Sequence, residues 1–73
     1  MKMKIYRDNK GNAGYYSYAA WNYYDNETKH FNATFEGTPG LSTKQISKRD
    51  LTQIELNAFT DYLTEYTSQK LLD

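Results

Sequence analysis

The stretch that decides the fold reads YYSYAAWNYY, residues 15–24, and six of its ten side chains are aromatic. Because a β-strand sends successive side chains to opposite faces, this run places aromatic rings on both faces of a sheet. A chain of 73 residues has few elements with which to cover two faces. We therefore expect one face to stay open and to present tyrosines to a partner, which favours binding over catalysis.

The composition predicts a single small domain, residues 1–73, with a core built from large rings. Hydrophobic residues make up 38% of the chain and aromatic residues 16%. Nine basic side chains balance nine acidic ones, which argues against a non-specific nucleic-acid binder. The absence of cysteine fits a reducing cytoplasm. The sequence predicts neither a signal peptide nor a membrane-spanning segment.

Three segments have the pattern of strands, at about residues 2–7, 14–24 and 30–36. In the third, Phe31, Ala33 and Phe35 alternate with polar residues and share one face. Turn-forming residues separate the segments at 8–12 and 25–29. Short sequential turns predict an antiparallel β-meander.

A helix is predicted after the loop of residues 37–46, which contains the only proline. Ser47 is the expected N-cap, with Asp50 three residues further on. Apolar positions then recur with a helical period, so we predict a helix over about residues 47–69. Leu71 and Leu72 follow it as a tail. The expected fold is α+β, a three-stranded meander packed on one face by a long C-terminal helix.

The register of residues 14–24 decides which aromatic side chains face away from this helix. Regular pairing exposes either Tyr16, Tyr18 and Tyr24 or the alternate set Tyr15, Trp21 and Tyr23. A bulge at Ala19–Ala20 would instead bring Tyr16, Tyr18, Trp21 and Tyr23 together. The side chains predicted to bind a partner are Tyr6, Tyr16, Tyr18, Trp21 and Tyr24, with Lys2 and Lys4 assisting the encounter.

No motif in the chain predicts an enzyme, a cofactor or a metal site. His30 is the only histidine, and it lies with Asp25 and Glu27 around a polar turn, where such residues serve the backbone. The serines have no identifiable general base. Gly37 and Gly40 are not followed by the Lys-Ser/Thr signature of a phosphate-binding loop.

The turn Asp8-Asn9-Lys10-Gly11, the pair Tyr15 and Tyr16, and the turn Tyr24-Asp25-Asn26 precede a third strand and a helix. In this order the chain resembles the N-terminal arm-binding domains of phage-type tyrosine recombinases. Members of that family lay a three-stranded sheet into the major groove of DNA. The resemblance implies DNA contacts at Lys2, Lys4, Tyr16 and Tyr18, whereas the zero net charge departs from the family pattern.

In its short length, lack of cysteine and lack of catalytic groups, the chain also resembles the anti-defence proteins of bacteriophages, including anti-CRISPR inhibitors. This resemblance implies docking on a host protein and occlusion of a site there. We therefore predict a non-enzymatic cytoplasmic module, an inhibitor or accessory protein of a phage or mobile element, that binds a host protein through its tyrosine-rich face. The alternatives are DNA binding through the sheet and self-association, as in a homodimer.

Overall fold

The computed structural model describes residues 3–35 and 42–62. These residues form the strands β1 (Ile5–Asp8), β2 (Ala13–Ser17), β3 (Ala20–Asp25), β4 (His30–Phe35) and β5 (Thr43–Ile46) and the helix α1 (Gln53–Tyr62). The strands build one antiparallel sheet in the order β4-β3-β2-β1-β5. Within the described part of the chain, no helix has the length and apolar character needed to cross a membrane.

The sheet therefore has five strands, and the prediction of a three-stranded meander is wrong, although the α+β class fits. Residues 14–24 do not form one strand, because the chain reverses at Tyr18 and Ala19 and β2 pairs with β3. Both turn residues have positive φ, 53° and 61°, as in a two-residue type I′ turn. Such turns usually carry Asn-Gly, so Tyr-Ala offers no turn signal in the sequence. The alternative of a bulge at Ala19–Ala20 is not found either, since a turn at Tyr18 and Ala19 takes its place.

The fifth strand lies in the segment predicted to be a loop, residues 37–46. β5 extends the sheet beyond β1, with pairs running from Ile5 and Ile46 to Asp8 and Thr43. Its four residues, TKQI, include a single large apolar side chain, so the alternation that identifies a half-buried strand is missing. Only pairing with β1 in the folded chain makes this segment a strand.

The helix begins later than predicted. Ser47 and Asp50 do form a capping box, but it closes a short 3₁₀ turn, Lys48–Asp50, and α1 starts at Gln53. A second box opens α1: the Glu55 N–H donates to Thr52 Oγ1 at 3.2 Å, and the Thr52 N–H donates to Glu55 Oε1 at 2.9 Å. The remainder of the predicted helix, residues 63–69, and the tail with Leu71 and Leu72 lie outside the described residues.

The two turns that the sequence predicted are present. Gly11 has a φ of 87° and ends the turn between β1 and β2, where Asp8 Oδ1 accepts the N–H groups of Lys10 and Asn12, each at 2.9 Å. Asp25 Oδ1 accepts the Glu27 N–H at 2.8 Å in the turn between β3 and β4. Local side-chain hydrogen bonds explain why both turns could be read from sequence.

The hydrophobic core lies between α1 and one face of the sheet, called here the helix face. Ile5, Ala13 and Phe59 are completely buried at its centre. The Phe59 ring meets the rings of Phe31 and Tyr15 at centroid distances of 5.2 and 6.4 Å. The partly buried side chains around this centre are Met3, Tyr15, Phe31, Ile46, Leu51 and Leu56.

Two side chains on the helix face of β4, Ala33 and Phe35, are exposed. Their cross-strand partners are Asn22 and Ala20, which place them on the same face as Phe31. The prediction that Phe31, Ala33 and Phe35 share one face is therefore confirmed. Of these three residues, only Phe31 packs against the described core.

Candidate functional site

The face of the sheet opposite α1, called here the outer face, is formed by every second residue of the strands. Both α1 and the segment around Leu51 pack on the other side. The outer-face residues in chain order are Tyr6, Asp8, Gly14, Tyr16, Trp21, Tyr23, Asp25, His30, Asn32, Thr34, Thr43 and Gln45.

Four of these residues, Tyr6, Tyr16, Trp21 and Tyr23, form what we call the aromatic cluster. The Tyr16 ring lies 5.3 Å from Tyr6 and 5.0 Å from Trp21, and the Trp21 and Tyr23 rings are stacked at 6.2 Å. Trp21 is only 1% exposed, whereas the three tyrosines of the cluster are half-buried. The four rings therefore form a row in the order Tyr6, Tyr16, Trp21 and Tyr23, in which each ring contacts the next.

Trp21 is held in place by a hydrogen bond to a residue of β1 on the same face of the sheet. Its Nε1–H donates to Asp8 Oδ2 at 3.3 Å, although β2 lies between β3 and β1. Gly14 is the β2 residue on this face beside both strands, and it has no side chain to obstruct the indole. A Cβ atom at Gly14 would lie 2.0 Å from the Asn22 carbonyl oxygen, so the backbone at this position also requires glycine.

Tyr16 is fixed in the same way from the other edge of the sheet. Its hydroxyl shares a 2.7 Å hydrogen bond with Thr43 Oγ1 in β5, two strands away. Because the ring contacts two neighbours and the hydroxyl is bonded, Tyr16 has little rotational freedom to lose on binding. The strand that the sequence did not predict thus supplies one of the contacts that order the outer face.

The structure brings three of the predicted binding residues together and places Tyr24 elsewhere. Tyr6, Tyr16 and Trp21 lie in the aromatic cluster, with Trp21 buried rather than presented. Tyr24 lies on the helix face, where it is buried and its ring meets Phe31 edge to face at 5.7 Å. It is therefore not part of the outer face.

Tyr18 and Lys4 lie at the periphery of this surface. Tyr18 is 101% exposed at the turn that joins β2 to β3. Lys4 is exposed immediately before β1. Lys2 lies outside the described residues. Of the alternatives for the register, the set of Tyr16, Tyr18, Trp21 and Tyr23 comes closest. A turn rather than a bulge is the cause, and Tyr18 lies in that turn.

Three residues that form the aromatic cluster or hold it in place, Tyr23, Asp8 and Thr43, were not among the predicted binding residues. Tyr23 faced outward in two of the registers considered, Asp8 was assigned to a turn, and Thr43 was assigned to a loop. Gly14 is the signal that could have indicated the cluster, because a glycine within an aromatic strand marks a close approach of neighbouring groups.

The charged side chains at the outer positions of the described strands are acidic. The outer positions of the five described strands include the carboxylates of Asp8 and Asp25 and no lysine or arginine. Asp25 Oδ2 accepts a hydrogen bond from Asn32 at 3.3 Å while Oδ1 closes the β3–β4 turn. In the described residues, no three histidine, aspartate or glutamate side chains are grouped so that they could hold a metal ion.

Comparison with known proteins gives no match, since no family model fits the chain and neither a curated protein nor a solved structure is significantly similar to it. Both resemblances drawn from the sequence therefore stay predictions.

Proposed function

We propose that this chain is a non-enzymatic protein-binding module whose outer face docks on another protein. The observation that carries the proposal is the aromatic cluster, a row of three half-buried tyrosines and a buried tryptophan on the face of the sheet opposite α1. Tyrosine and tryptophan dominate the energetics of protein interfaces because they bury large areas at low entropic cost. As the cysteine-free sequence predicts, we place this activity in the cytoplasm.

Preorganisation supports this use of the surface. A partner that binds flexible side chains must order them, at about 0.5–1.5 kcal/mol for each rotamer-rich side chain. Here Tyr16 is already bonded to Thr43, and Trp21 is already bonded to Asp8. A partner would therefore spend little free energy on ordering these side chains, and more of the free energy of contact would appear as affinity.

Tyr18 adds an exposed ring at the edge of this surface. A fully exposed tyrosine at a two-residue turn contributes little to folding, because nothing packs on it in the free chain. Its ring is available to enter a pocket on a partner, as the anchoring residues of interfaces do. By docking through the outer face and the turn, this chain would cover part of the partner's surface. Covering a functional site there is the inhibitory or accessory role that we include in the proposal.

Charge favours a protein over a nucleic acid as the partner. Binding to DNA or RNA depends on lysine and arginine contacts with phosphates. The outer positions of the described strands supply no such side chain and carry two carboxylates, of Asp8 and Asp25. The DNA-binding alternative would rest on Lys2 and Lys4 alone, which is too little charge to hold a duplex.

Site-specific photo-crosslinking provides the test. A photoreactive phenylalanine replaces Tyr18 or Tyr23 in separate variants, and a matched variant carries it at Thr60, exposed on α1. The partner that is crosslinked from the outer face is then purified, and its affinity is measured for the wild type and for Tyr18→Ala. We expect Tyr18→Ala to fold normally and to weaken binding by more than about 1 kcal/mol, while Thr60→Ala binds as the wild type does.

Crosslinking from position 60 alone, or wild-type affinity of Tyr18→Ala and Tyr23→Ala, would overturn the proposal. The nucleic-acid alternative is tested by the fluorescence anisotropy of labelled duplex and single-stranded DNA at two salt concentrations. We expect no binding at either concentration. Saturable binding that weakens steeply with salt would replace the protein partner by DNA.

A further inference from the structure

The outer edge of β4 is one of the two edges of the described sheet. β4 ends the sheet, and no strand within residues 3–35 and 42–62 pairs with its outer side. Alternate N–H and C=O groups of an edge strand point outward and are ready to pair with another strand. Proteins usually prevent pairing at such edges with proline or with charged residues, especially lysine. The β4 sequence, HFNATF, contains no proline, lysine, arginine, aspartate or glutamate. The opposite edge, β5, carries Lys44.

Exposed apolar side chains gather beside the same edge. Four large hydrophobic residues of the described chain are exposed, and three of them, Phe35, Ile54 and Tyr62, belong to β4 or to the part of α1 next to it. Phe35 is 85% exposed. The Tyr62 ring stacks on Phe31 of β4 at 4.2 Å. Apolar surface and an edge strand therefore occur together, as at a strand-pairing interface.

A shallow groove of about 470 Å³ runs between β4 and α1. Phe31 and Tyr24 line it from the sheet, and Ile54 and Tyr62 line it from the helix. Its lining also includes one side chain of each charge, Lys29 and Asp61. Two copies of this groove can consequently meet without a net like-charge contact.

We propose that β4 pairs with β4 of a second copy of this chain, antiparallel, about a two-fold axis perpendicular to the sheet. This axis keeps the helix faces of both copies on one side, so only residues of the same face can lie opposite each other. Centring the axis on Ala33 places Phe31 opposite Phe35 of the partner subunit on the helix face. On the outer face it places Asn32 opposite Thr34 of the partner subunit.

This register is complementary at each of its pairs. Two phenylalanines face each other, two small alanines meet at the axis, and an amide meets a hydroxyl; such cross-strand pairs stabilise a sheet. The chain has zero net charge, so no long-range repulsion opposes the approach of two copies. A different protein would have to supply an uncharged strand with the same alternation of apolar and polar side chains, whereas a second copy supplies it by symmetry.

The dimer would have a continuous ten-stranded sheet with both α1 helices on one side, flanking the junction. Ile54 and Tyr62 of each copy would then lie beside the new strand pair. The strand pairing does not involve the aromatic cluster of either copy, so the assembly carries two such clusters. Dimerisation and the proposed binding of another protein use different surfaces, and each can fail without the other.

Sedimentation velocity at about 1 to 500 µM tests the pairing, a range suited to the edge of a single short strand. The wild type is expected to change from monomer to dimer as concentration rises. Ala33→Lys, which sets two lysines against each other at the axis, should weaken dimerisation at least about tenfold. Gln45→Lys, on the other edge strand, is the matched control and should dimerise like the wild type.

Mixing two variants that carry opposite charges at position 33 identifies the register of the strand pair. Ala33→Lys and Ala33→Glu should each remain monomeric alone and should form a heterodimer when mixed, because residue 33 lies opposite itself. Circular dichroism checks that both variants fold. The proposal is overturned if the wild type stays monomeric at every concentration, if its dimer persists in Ala33→Lys, or if the mixture fails to associate.

Discussion

Arg7 of β1 and Glu55 of α1 form a bidentate ion pair on the helix face. Arg7 Nη1 donates to Glu55 Oε2 at 2.8 Å, and Arg7 Nη2 donates to Glu55 Oε1 at 3.0 Å. The Glu55 side chain is only 1% exposed. Arg7 also donates to the carbonyl oxygens of Gly11 and Asp50, at 2.8 and 3.0 Å. One guanidinium therefore joins the first turn of the sheet, the 3₁₀ turn and the start of the helix.

Glu55 remains the ionised partner of this pair despite its burial. Desolvation alone would raise the pKa of Glu55, but hydrogen bonds from the Arg7 guanidinium and the Thr52 N–H outweigh it and lower that pKa below its usual value. The hydrogen bond to Glu55 raises the pKa of Arg7, against a smaller opposing effect of burial. The pair is therefore charged throughout the neutral range.

Replacing Glu55 by glutamine should destabilise the fold by about 3–5 kcal/mol at pH 7, since it leaves the Arg7 charge without its partner. Urea unfolding followed by circular dichroism measures the effect. Glu27→Gln, in the exposed β3–β4 turn, is the matched control and should change stability by less than about 0.5 kcal/mol. Equal stability of Glu55→Gln and the wild type would show that the ion pair is not a structural link.

The same pair predicts how stability depends on pH. Because the folded chain holds the pKa of Glu55 below its unfolded value of about 4.3, this group stabilises the fold fully above that value. The contribution is lost as pH falls through the lower, folded pKa. Urea unfolding between neutral and acidic pH should show a steeper loss for the wild type than for Glu55→Gln. Parallel curves would contradict the assignment.

Gly14→Ala should be strongly destabilising, by about 3 kcal/mol or more, because the new Cβ would clash with the backbone of β3 rather than with a movable side chain. Gly11→Ala provides a contrast, since a Cβ there meets nothing within 4 Å and the cost is only the strain of a φ of 87°, about 1 kcal/mol. Thermal unfolding ranks the two variants. The reverse order would mean that β2 and β3 are not in the register described.

Ala19→Gly should stabilise the chain by about 0.5–1 kcal/mol, since glycine adopts the left-handed conformation of the β2–β3 turn without the strain borne by alanine. Ala20→Gly, one residue further on in regular strand, should destabilise it by a similar amount. Chemical denaturation of both variants measures the difference. Destabilisation by both substitutions would indicate one continuous strand through residues 18–20 instead of a turn.

Asp8→Asn should destabilise the aromatic cluster by about 1–3 kcal/mol, because an amide N–H₂ in place of Oδ2 would face the Trp21 N–H and leave two buried donors opposed. Trp21 is the only tryptophan, so its fluorescence reports on this environment directly. The emission should be blue-shifted in the wild type, as for a buried indole, and should move towards the red in Asp8→Asn. Unchanged emission and stability would show that the bond contributes nothing.

Several features of this protein follow from the sequence because they depend on neighbouring residues alone. The turns at Asp8–Gly11 and Asp25–Lys29 are stabilised by their own side chains, and the alternation of β4 is visible in His30–Phe35. Ser47 and Asp50 form a capping box as predicted, although on a 3₁₀ turn. The density of aromatic residues correctly indicated that rings occur on both faces of the sheet.

The tertiary structure decided what depends on residues far apart in the chain. The reversal at Tyr18–Ala19 carries no turn-forming residue and is imposed by the pairing of Tyr16 with Trp21 and its neighbours. That register sends Trp21 to the outer face and Tyr24 to the core, and a shift of one residue would exchange them. Thr43 enters a strand, and Glu55 a buried ion pair, only because β1 supplies their partners. Local propensity determines the turns after Asp8 and Asp25, whereas cross-strand contacts decide the turn at Tyr18–Ala19 and which aromatic rings lie on the outer face.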